Sequence, residues 1–315
     1  MIKDIKIKDE VVKPGEVKYL DFFVSRLPTG TNINMPITVG RSKKDGPTLL
    51  LIGGMHGDEI NGVEILRRII KNKLFIPDRG SVICIPILNT LGFINFSREN
   101  SGGKDVNRSF PGSTTGSLAS QIAHFMAKEI IPQIDCAIDF HTGGKRINNY
   151  PQIRTVFDHE ASYQLAQSFS APFMLNSPLR DKSLRKFGHS LGKPILVYEA
   201  GESLRLRQHS IVTGVNGTLR VMRFLNMIDS APEPKHQSEI LNKSTWLRAK
   251  RSGMYYSVVR SGAPISKNET LGYIADPYGQ KETKVTSPLD GFVIAVNNNP
   301  IINRGDALIH LGLND

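Results

Sequence analysis

Residues 49 to 70 read Leu49-Leu-Leu-Ile-Gly-Gly-Met-His-Gly-Asp-Glu-Ile-Asn-Gly-Val-Glu-Ile-Leu-Arg-Arg-Ile-Ile70. The first four residues are apolar, which is typical of a short buried strand. The pair Gly53-Gly54 interrupts this run, and after Glu59 the apolar residues recur with helical spacing. That helical face consists of Ile60, Val63, Ile65, Leu66 and Ile69. The stretch therefore predicts a strand that passes through a short loop into a helix.

His56 and Glu59 lie in this loop, directly before the predicted helix. Open α/β sheets bind their ligands at the carboxyl ends of strands, so the two side chains occupy a place where a site is expected. An imidazole and a carboxylate one turn apart can converge on one metal ion. The pair fits equally well an exposed loop histidine and a glutamate favoured by the helix dipole, and on its own it leaves both interpretations open.

The overall composition predicts a folded protein. The chain has 315 residues, of which 39% are hydrophobic and 22% are charged, and about two domains are expected at this length. No apolar run approaches the ~20 residues of a membrane helix, and the first residues lack the apolar core of a secretory signal. Cys84 and Cys136 lie in apolar runs and are predicted to be buried thiols rather than a disulfide. We therefore expect a cytoplasmic protein with no membrane partner.

The formal net charge of +11 admits three kinds of partner, namely nucleic acid, anionic lipid and small anionic substrates. The 40 lysines and arginines are spread along the chain, with only short clusters such as Lys43-Lys44. No aromatic-interleaved basic motif and no Cys/His finger accompanies them. A solvated surface is favoured over a nucleic-acid interface.

A regular alternation of strands and helices follows a predicted hairpin within residues 17–40. Strands are predicted near 48–53, 81–87, 135–141, 153–157 and 194–199, and helices near 59–71, 117–131, 159–170, 181–191 and 208–228. The apolar strands favour a mixed, mostly parallel sheet with helices on both faces. Residues 88–115 are rich in Gly and Asn and have no clear period, which is typical of a functional loop.

The composition changes after residue 229, where a polar, proline-containing segment begins. Beyond it the apolar runs are short and are separated by glycines, a pattern that predicts a small all-β module. We predict a catalytic domain at 1–229 that includes the N-terminal hairpin, a linker at 230–243 and a β-sandwich or barrel module at 244–315.

A second histidine of interest ends another predicted strand, in Ala137-Ile-Asp-Phe-His-Thr-Gly-Gly144. Strand alternation puts Asp139 and His141 on one side, and the glycines end the strand. Two histidines and one glutamate form a ligand set of catalytic zinc enzymes, in which one position stays open for water. Alternatively, His141 is a structural histidine whose ring is bonded to a carbonyl or to Asp139.

The long loop supplies hydrogen-bond donors. Asn107 and Arg108 offer an amide and a guanidinium side by side, which suits a carboxylate, and Arg98 adds a second guanidinium. A loop arginine that pairs with a surface acid is the alternative.

A further carboxylate is delivered by Pro194-Ile-Leu-Val-Tyr-Glu-Ala-Gly-Glu202, where a strand runs into Glu199. A glutamate near a metal-bound water can act as general base and then protonate the leaving amine. Glu202, in the following loop, is the competing candidate. Glu199 is preferred because strand ends place side chains more accurately.

These residues occur in four ordered motifs. The motifs are Gly53-Gly-Met-His-Gly-Asp-Glu59, Asp105-Val-Asn-Arg-Ser-Phe-Pro-Gly112, Asp139-Phe-His-Thr-Gly-Gly144 and Tyr198-Glu-Ala-Gly-Glu202. Their order and wording resemble the succinylglutamate desuccinylase/aspartoacylase branch of the zinc carboxypeptidase clan. The resemblance covers residues 45 to 228, more loosely the β module, and implies a zinc carboxypeptidase-like fold.

The resemblance also implies a metal centre and its chemistry. His56, Glu59 and His141 would bind one zinc ion per chain, and Glu199 would activate the metal-bound water. Arg98 would polarise the scissile carbonyl and stabilise the oxyanion.

Further residues receive substrate and supporting roles from the same resemblance. Asn107 and Arg108 would hold the substrate's carboxylate, and Asp105 would orient the first histidine ligand. Arg146 and Arg154, which closely follow His141, would be additional substrate contacts.

The sequence therefore predicts a zinc-dependent amidohydrolase that removes a small acyl group from an N-acyl amino acid or a related amine. A metallocarboxypeptidase acting on short peptides uses the same chemistry and is the alternative. A metal-free protein that binds anions or nucleic acid on the same scaffold is less favoured, because it needs neither the ligand set nor Glu199. Homo-oligomerisation is left open.

Overall fold

The structure is a computed structural model that describes residues 4–100 and 102–314. Its helices are α1 (Ile60–Lys71), α2 (Thr90–Ile94), α3 (Leu118–Phe125), α4 (Glu160–Phe169), α5 (Leu184–Ser190) and α6 (Gln208–Phe224). The strands of the N-terminal part are β1 (Ile5–Ile7), β2 (Glu10–Val12), β3 (Val17–Arg26), β4 (Asn32–Arg41), β5 (Thr48–Ile52), β6 (Ser81–Ile85), β7 (Cys136–Gly143), β8 (Ile147–Thr155), β9 (Phe173–Asn176) and β10 (Ile195–Glu202). The remaining strands are β11 (Glu239–Leu241), β12 (Lys243–Arg248), β13 (Gly253–Ser257), β14 (Pro264–Ile265), β15 (Thr270–Ala275), β16 (Glu282–Thr286), β17 (Gly291–Asn297), β18 (Ile301–Ile302) and β19 (Ala307–Leu313).

One mixed sheet dominates the fold, in the order β12-β19-β17-β8-β10-β7-β5-β6-β4-β3. Its centre, β6-β5-β7-β10, is parallel, and antiparallel strands flank this centre on both sides. The carboxyl ends of the four central strands therefore meet at one edge of the sheet. The predicted mixed sheet with a parallel centre is confirmed.

Both faces of the central strands are buried, which explains their continuous apolar runs. On β5, Leu50 and Ile52 pack into the core that contains Ile122 of α3 and Leu184 of α5. Leu49 and Leu51 point to the opposite face and pack into the core that α1, α4 and α6 complete. Helices thus cover both faces, as the apolar strand pattern predicts.

Two predicted elements differ from the structure. The strand predicted at 153–157 runs from Ile147 to Thr155 in the structure. Its first half was missed because polar residues such as Asn149 and Gln152 hide the apolar strand pattern, although both are buried. The helix predicted at 117–131 ends as an α-helix at Phe125 and continues as a π-helical turn, Met126–Ile130. The hairpin predicted within 17–40 is confirmed as β3 and β4.

From 239 to 314, within the described part of the chain, every secondary-structure element is a strand, as predicted. A four-stranded sheet, β16-β15-β13-β18, lies beside the main sheet, while β12, β17 and β19 extend the main sheet itself. The junction is the antiparallel pairing of β17 with the first half of β8. Within the segment predicted as a linker, β11 pairs with β9. The division into two domains stays a prediction.

Cys84 and Cys136 are buried free thiols, as expected. Across residues 4–100 and 102–314, no helix combines the length and the apolarity needed to span a bilayer.

Candidate metal centre and active site

His56, Glu59 and His141 converge at the edge where the parallel strands end. His56 and Glu59 lie in the loop between β5 and α1, and His141 lies in the last half of β7, the strand beside β5. The loop packs closely on α2, where a Cβ at Gly57 would lie 1.8 Å from the carbonyl carbon of Gly92. Glycine is needed there because backbone atoms cannot move aside.

The Glu59 carboxylate lies between the two imidazoles. Its Oε1 is 2.8 Å from His56 Nδ1 and its Oε2 is 2.8 Å from His141 Nδ1, and the two Nδ1 atoms are 3.2 Å apart. All three residues are buried, and their ligand atoms lie within 4.8 Å of one another. Two imidazole nitrogens and one carboxylate are the donors of a catalytic zinc site with a fourth position for water. The donor set therefore fits the metal that the resemblance implies.

Each histidine presents its other ring nitrogen to a further carboxylate. His56 Nε2 lies 3.2 Å from Asp105 Oδ1, and His141 Nε2 lies 2.8 Å from Asp139 Oδ2. Such a contact places the ring proton on the outer nitrogen and leaves the inner nitrogen free for a metal. Asp105 thus lies beside the outer ring nitrogen of His56, and Asp139 has the equivalent position beside His141.

Buried charges of both signs balance within this group. Burial would raise the pKa of Glu59, but His56 and His141 outweigh burial and hold that pKa well below its usual value. Burial would lower the pKa of His141, but Asp139 and Glu59 raise that pKa well above its usual value. The carboxylates therefore attract positive charge to this point, and a divalent cation would replace the histidine protons.

Arg98 reaches the same group from the long loop. Its Nη1 lies 3.1 Å from Glu59 Oε1 and its Nη2 donates to Asp105 Oδ2 at 3.0 Å. Burial would lower the pKa of Arg98, but Glu59 and Asp105 raise it. A charged guanidinium is therefore held beside the ligand set, which is the position that a carbonyl-polarising residue requires.

Glu199 faces the ligand set from the neighbouring strand. It lies in β10, which pairs in parallel with β7, and its register partner is His141. Its carboxylate accepts a hydrogen bond from Asn149 at 2.8 Å and lies 3.6 Å from Arg154. Glu199 therefore lines the cavity as a carboxylate that is not part of the ligand set.

Glu202, the competing candidate, has a different environment. Its carboxylate accepts a hydrogen bond from Asn298 at 2.8 Å and lies 3.4 Å from Arg205. The side chain is buried outside the cavity that Glu199 lines. The geometry favours Glu199 as the base.

One cavity of about 220 Å³ adjoins these groups. The predicted site residues that line it are His56, Glu59, Arg98, Asn107, Arg108, His141, Arg154 and Glu199. Arg146, predicted as a substrate contact, lies outside the cavity in the exposed turn between β7 and β8. The structure thus brings together most of the predicted site and leaves Arg146 apart from it.

Further side chains line the cavity and were not predicted from the sequence, among them Asn149, Arg180, Arg185 and Trp246. Arg180 and Arg185 come from the segment between β9 and the start of α5. Leu175, near the end of β9, pairs with Arg154, so the segment after β9 starts next to Arg154. Because β8 is antiparallel to β10, this is not the edge where the central strands end, and the sequence carried no local signal for either arginine.

Asn107 also has a structural contact, since its Oδ1 accepts a hydrogen bond from the Leu184 backbone N–H at 2.9 Å. This bond ties the long loop to the start of α5. Only the amide nitrogen of Asn107 therefore stays available as a donor, which is the group that a substrate carboxylate needs.

The fold and this cavity together define the class of protein, a mixed α/β protein in which a candidate metal-binding group and a separate carboxylate share one cavity. Within that class, the chain belongs to the succinylglutamate desuccinylase/aspartoacylase family, because the model of the family's catalytic domain matches residues 45–225. The resemblance carried by the four motifs is thereby confirmed.

Individual relatives agree with this membership. An N-alpha-acetyl-L-2,4-diaminobutyric acid deacetylase from Halomonas elongata is 24% identical over 295 residues, which cover 88% of this chain and 84% of that protein. The succinylglutamate desuccinylase/aspartoacylase structure from Rhodobacter sphaeroides has a TM-score of 0.84 at 24% identity and covers 95% of this chain and 96% of its own. The product-bound ectoine utilization protein EutE (DoeB) from Ruegeria pomeroyi has a TM-score of 0.85 at 22% identity, with coverage of 99% and 98%. These structures confirm the predicted fold class.

Proposed function

We propose that this protein is a zinc-dependent amidohydrolase that removes a small acyl group from an N-acyl amino acid. The main support is the position of Glu199, which shares one small cavity with His56, Glu59 and His141. Hydrolysis by an activated water requires a metal-binding donor set and a separate carboxylate that can move a proton. Family membership supports acyl amino acids as the substrate class.

The residues around the cavity divide the chemistry among them. His56, Glu59 and His141 would hold the zinc ion, which would supply Lewis-acid activation of water and of the acyl carbonyl. Glu199 accepts the proton of the attacking water and passes it to the departing nitrogen. Arg98 donates to the carbonyl oxygen as negative charge develops there, and Arg108 with Asn107 binds the substrate's carboxylate.

The charge of the cavity indicates what else the substrate carries. Arg154, Arg180 and Arg185 line one cavity, and the Nη1 of Arg185 is buried with no hydrogen-bond partner in the described part of the chain. Burial, together with Arg154 and Arg180, lowers the pKa of Arg185 to about 10. Crowded guanidinium groups with an unused donor are stabilised when an anion binds between them. We therefore propose a substrate with a second anionic group.

This proposal separates the protein from its Halomonas relative, which is named for a substrate with a free amine. The carboxylates lining the cavity within residues 4–100 and 102–314 are Glu59 and Glu199. One is assigned to the metal and the other to proton transfer, so a cationic side chain would have no partner there. N-acyl derivatives of acidic amino acids should be preferred over those of basic ones.

A panel of N-acetyl and N-succinyl amino acids with acidic, neutral and basic side chains tests the proposal, with dipeptides as the peptidase arm. We expect the acidic members to have the highest kcat/KM. Turnover of dipeptides alone would indicate the carboxypeptidase, and a preference for basic members would contradict the anion proposal.

Replacing Arg185 by Met tests the anion contact directly. We expect kcat/KM for the acidic substrates to fall about 10-fold to 100-fold, while neutral substrates change less. Lys186→Met is the matched control, because Lys186 is the adjacent cation on α5 and pairs with exposed Asp181 outside the cavity. Equal losses in the two variants would contradict the assignment.

A further inference from the structure

The strand that carries Glu199 is irregular at this residue. The pairing of β10 with β7 and with β8 shifts register directly after Glu199. Such a bulge changes the direction in which a side chain points. The carboxylate therefore depends on contacts beyond its own strand for its final position.

Asn149 supplies the shortest of these contacts. It lies in β8, is 4% exposed, and donates through Nδ2 to Glu199 Oε2 at 2.8 Å. The other carboxylate oxygen, Oε1, lies 3.6 Å from an Arg154 nitrogen, beyond hydrogen-bond distance. A neutral amide can hold one oxygen without neutralising the carboxylate. The hydrogen bond from Asn149 thereby competes with a closer, bidentate pairing of Glu199 with Arg154, in which Arg154 would contact both carboxylate oxygens.

The backbone of Asn149 is fixed from two sides. Its register partner on β10 is Gly201, and its register partner on β17 is Ala295. Just after β17, Asn298 donates to Glu202 at 2.8 Å, so the end of β10 is tied to the C-terminal strands a second time. The position of Asn149 thus depends on the docking of a C-terminal strand.

We propose that Asn149 is the positioning residue for Glu199 and that β17 completes the active site by holding Asn149 in place. The inference rests on the proposed function, in which Glu199 moves the proton. With Oε2 bonded to Asn149, we assign Oε1, which lies 3.6 Å from an Arg154 nitrogen, to the attacking water. Misplacing this oxygen slows proton transfer, while Arg180 and Arg185 remain in place to bind the substrate.

Replacing Asn149 by Ala tests the kinetic consequence. We expect kcat to fall about 10-fold to 100-fold and KM to rise by a smaller factor, because the proton-transferring carboxylate is displaced directly and Arg154 is affected only through its pairing with Glu199. Asn149→Ser keeps a short donor and should recover part of the loss. Asn149→Asp keeps the shape but places a second carboxylate beside Glu199, and should be at least as slow as Asn149→Ala.

Asn148→Ala is the matched control. Asn148 is the preceding residue of β8, pairs with β17, and donates to Ser261 Oγ at 3.0 Å. It loses a hydrogen bond to the same C-terminal strands without touching Glu199. Equal kcat in Asn148→Ala and wild type supports the proposal, and equal losses in both alanine variants would overturn it.

Crystal structures of the wild type and the variants test the positioning role of Asn149 without any measurement of hydrolysis, and so independently of the proposed function. In crystal structures we expect one Glu199 rotamer in the wild type and in Asn148→Ala, and rotation of the carboxylate toward Arg154 in Asn149→Ala. An unchanged Glu199 rotamer in Asn149→Ala would overturn the positioning role. If the wild type hydrolyses no member of the panel, the proposed function fails, and the crystallographic result still decides the role of Asn149.

Discussion

His141 and Asp139 are paired inside a single strand, two residues apart. Strand alternation puts both on the same side, and the Asp139 carboxylate meets the ring nitrogen opposite the one that faces Glu59. Both residues are buried, so solvent does not compete for this bond. The bond orients the ring and raises its basicity as a ligand.

The Asp139→Asn variant should bind zinc about 10-fold to 100-fold more weakly than the wild type, because the amide no longer stabilises the required tautomer as a carboxylate does. Competition with a chromophoric chelator measures this affinity. Zinc affinity equal to that of the wild type would contradict the orienting role.

Residue types and their positions at strand ends predicted that His56, Glu59 and His141 lie close together, and the structure confirms this proximity. Their role as metal ligands, which the family resemblance implies, stays a prediction. Spacing could not predict Arg180 and Arg185, since they enter the cavity through β9, a strand of four residues without a clear alternation. The sequence also gave no sign that Asn107 would bond the start of α5. Such contacts depend on how distant segments meet.

At the scale of elements, α1 packs directly on β7. A Cβ at Gly62 of α1 would lie 2.7 Å from the Phe140 Cβ and 2.8 Å from the Phe140 carbonyl oxygen. The backbone of a central strand cannot move aside. Gly62 therefore sets the distance between the helix that follows Glu59 and the strand that carries His141.

The Gly62→Ala variant should be less stable than the wild type. Alanine favours a helix by about 1 kcal/mol over glycine, but overpacking typically costs about 1–3 kcal/mol and here involves backbone atoms. Urea unfolding measures the difference. Gly214→Ala in α6 is the comparison, because its Cβ meets the flexible end of Ile65 at 2.4 Å and should cost less. A larger loss at Gly214 would contradict this packing argument.

Periodicity located most central strands and helices, since apolar runs buried on both faces are unambiguous. It failed in the first half of β8, where Asn149 is 4% exposed and Gln152 is fully buried. Polar residues in a buried strand look like a loop in sequence. One of them, Asn149, lines the cavity.

At the scale of the whole molecule, the C-terminal strands bring Trp246 and His310 to the cavity side of the sheet. The two rings stack with centroids 4.5 Å apart, and Trp246 lines the cavity. His310 is 6% exposed, and burial, with Arg154 as the second cause, lowers the pKa of His310 to about 3. This side chain is therefore neutral in the folded protein at moderate pH.

Acid should destabilise the protein through His310. Between pH 6.5 and about 3 the unfolded chain binds a proton at His310 and the folded chain does not. The stability that the neutral His310 side chain contributes to the fold is therefore fully present above pH 6.5 and is lost as the pH falls toward 3. The loss is about 1.4 kcal/mol per pH unit within this window. His310→Phe keeps the ring stack and removes the titrating group. Between pH 6.5 and about 3, the slope of the unfolding free energy against pH should therefore decrease by the amount that one bound proton contributes. An unchanged slope would contradict the buried neutral state.

The strand content of the C-terminal part was predictable from its short, glycine-separated runs. The continuity of β17 with β8 was not, because pairing between strands far apart in sequence leaves no local signal. The boundary at 230–243 stays a prediction, as does a cytoplasmic location.

Metal content measured together with hydrolysis tests the central claim most directly. We expect one zinc ion per chain in the purified protein. We also expect hydrolysis of N-acyl amino acids, which a chelator should abolish and added zinc should restore. In Glu199→Gln, kcat should fall at least about 1,000-fold while the zinc content is unchanged. Protein that contains no stoichiometric metal and hydrolyses none of the panel after zinc is added would contradict the claim.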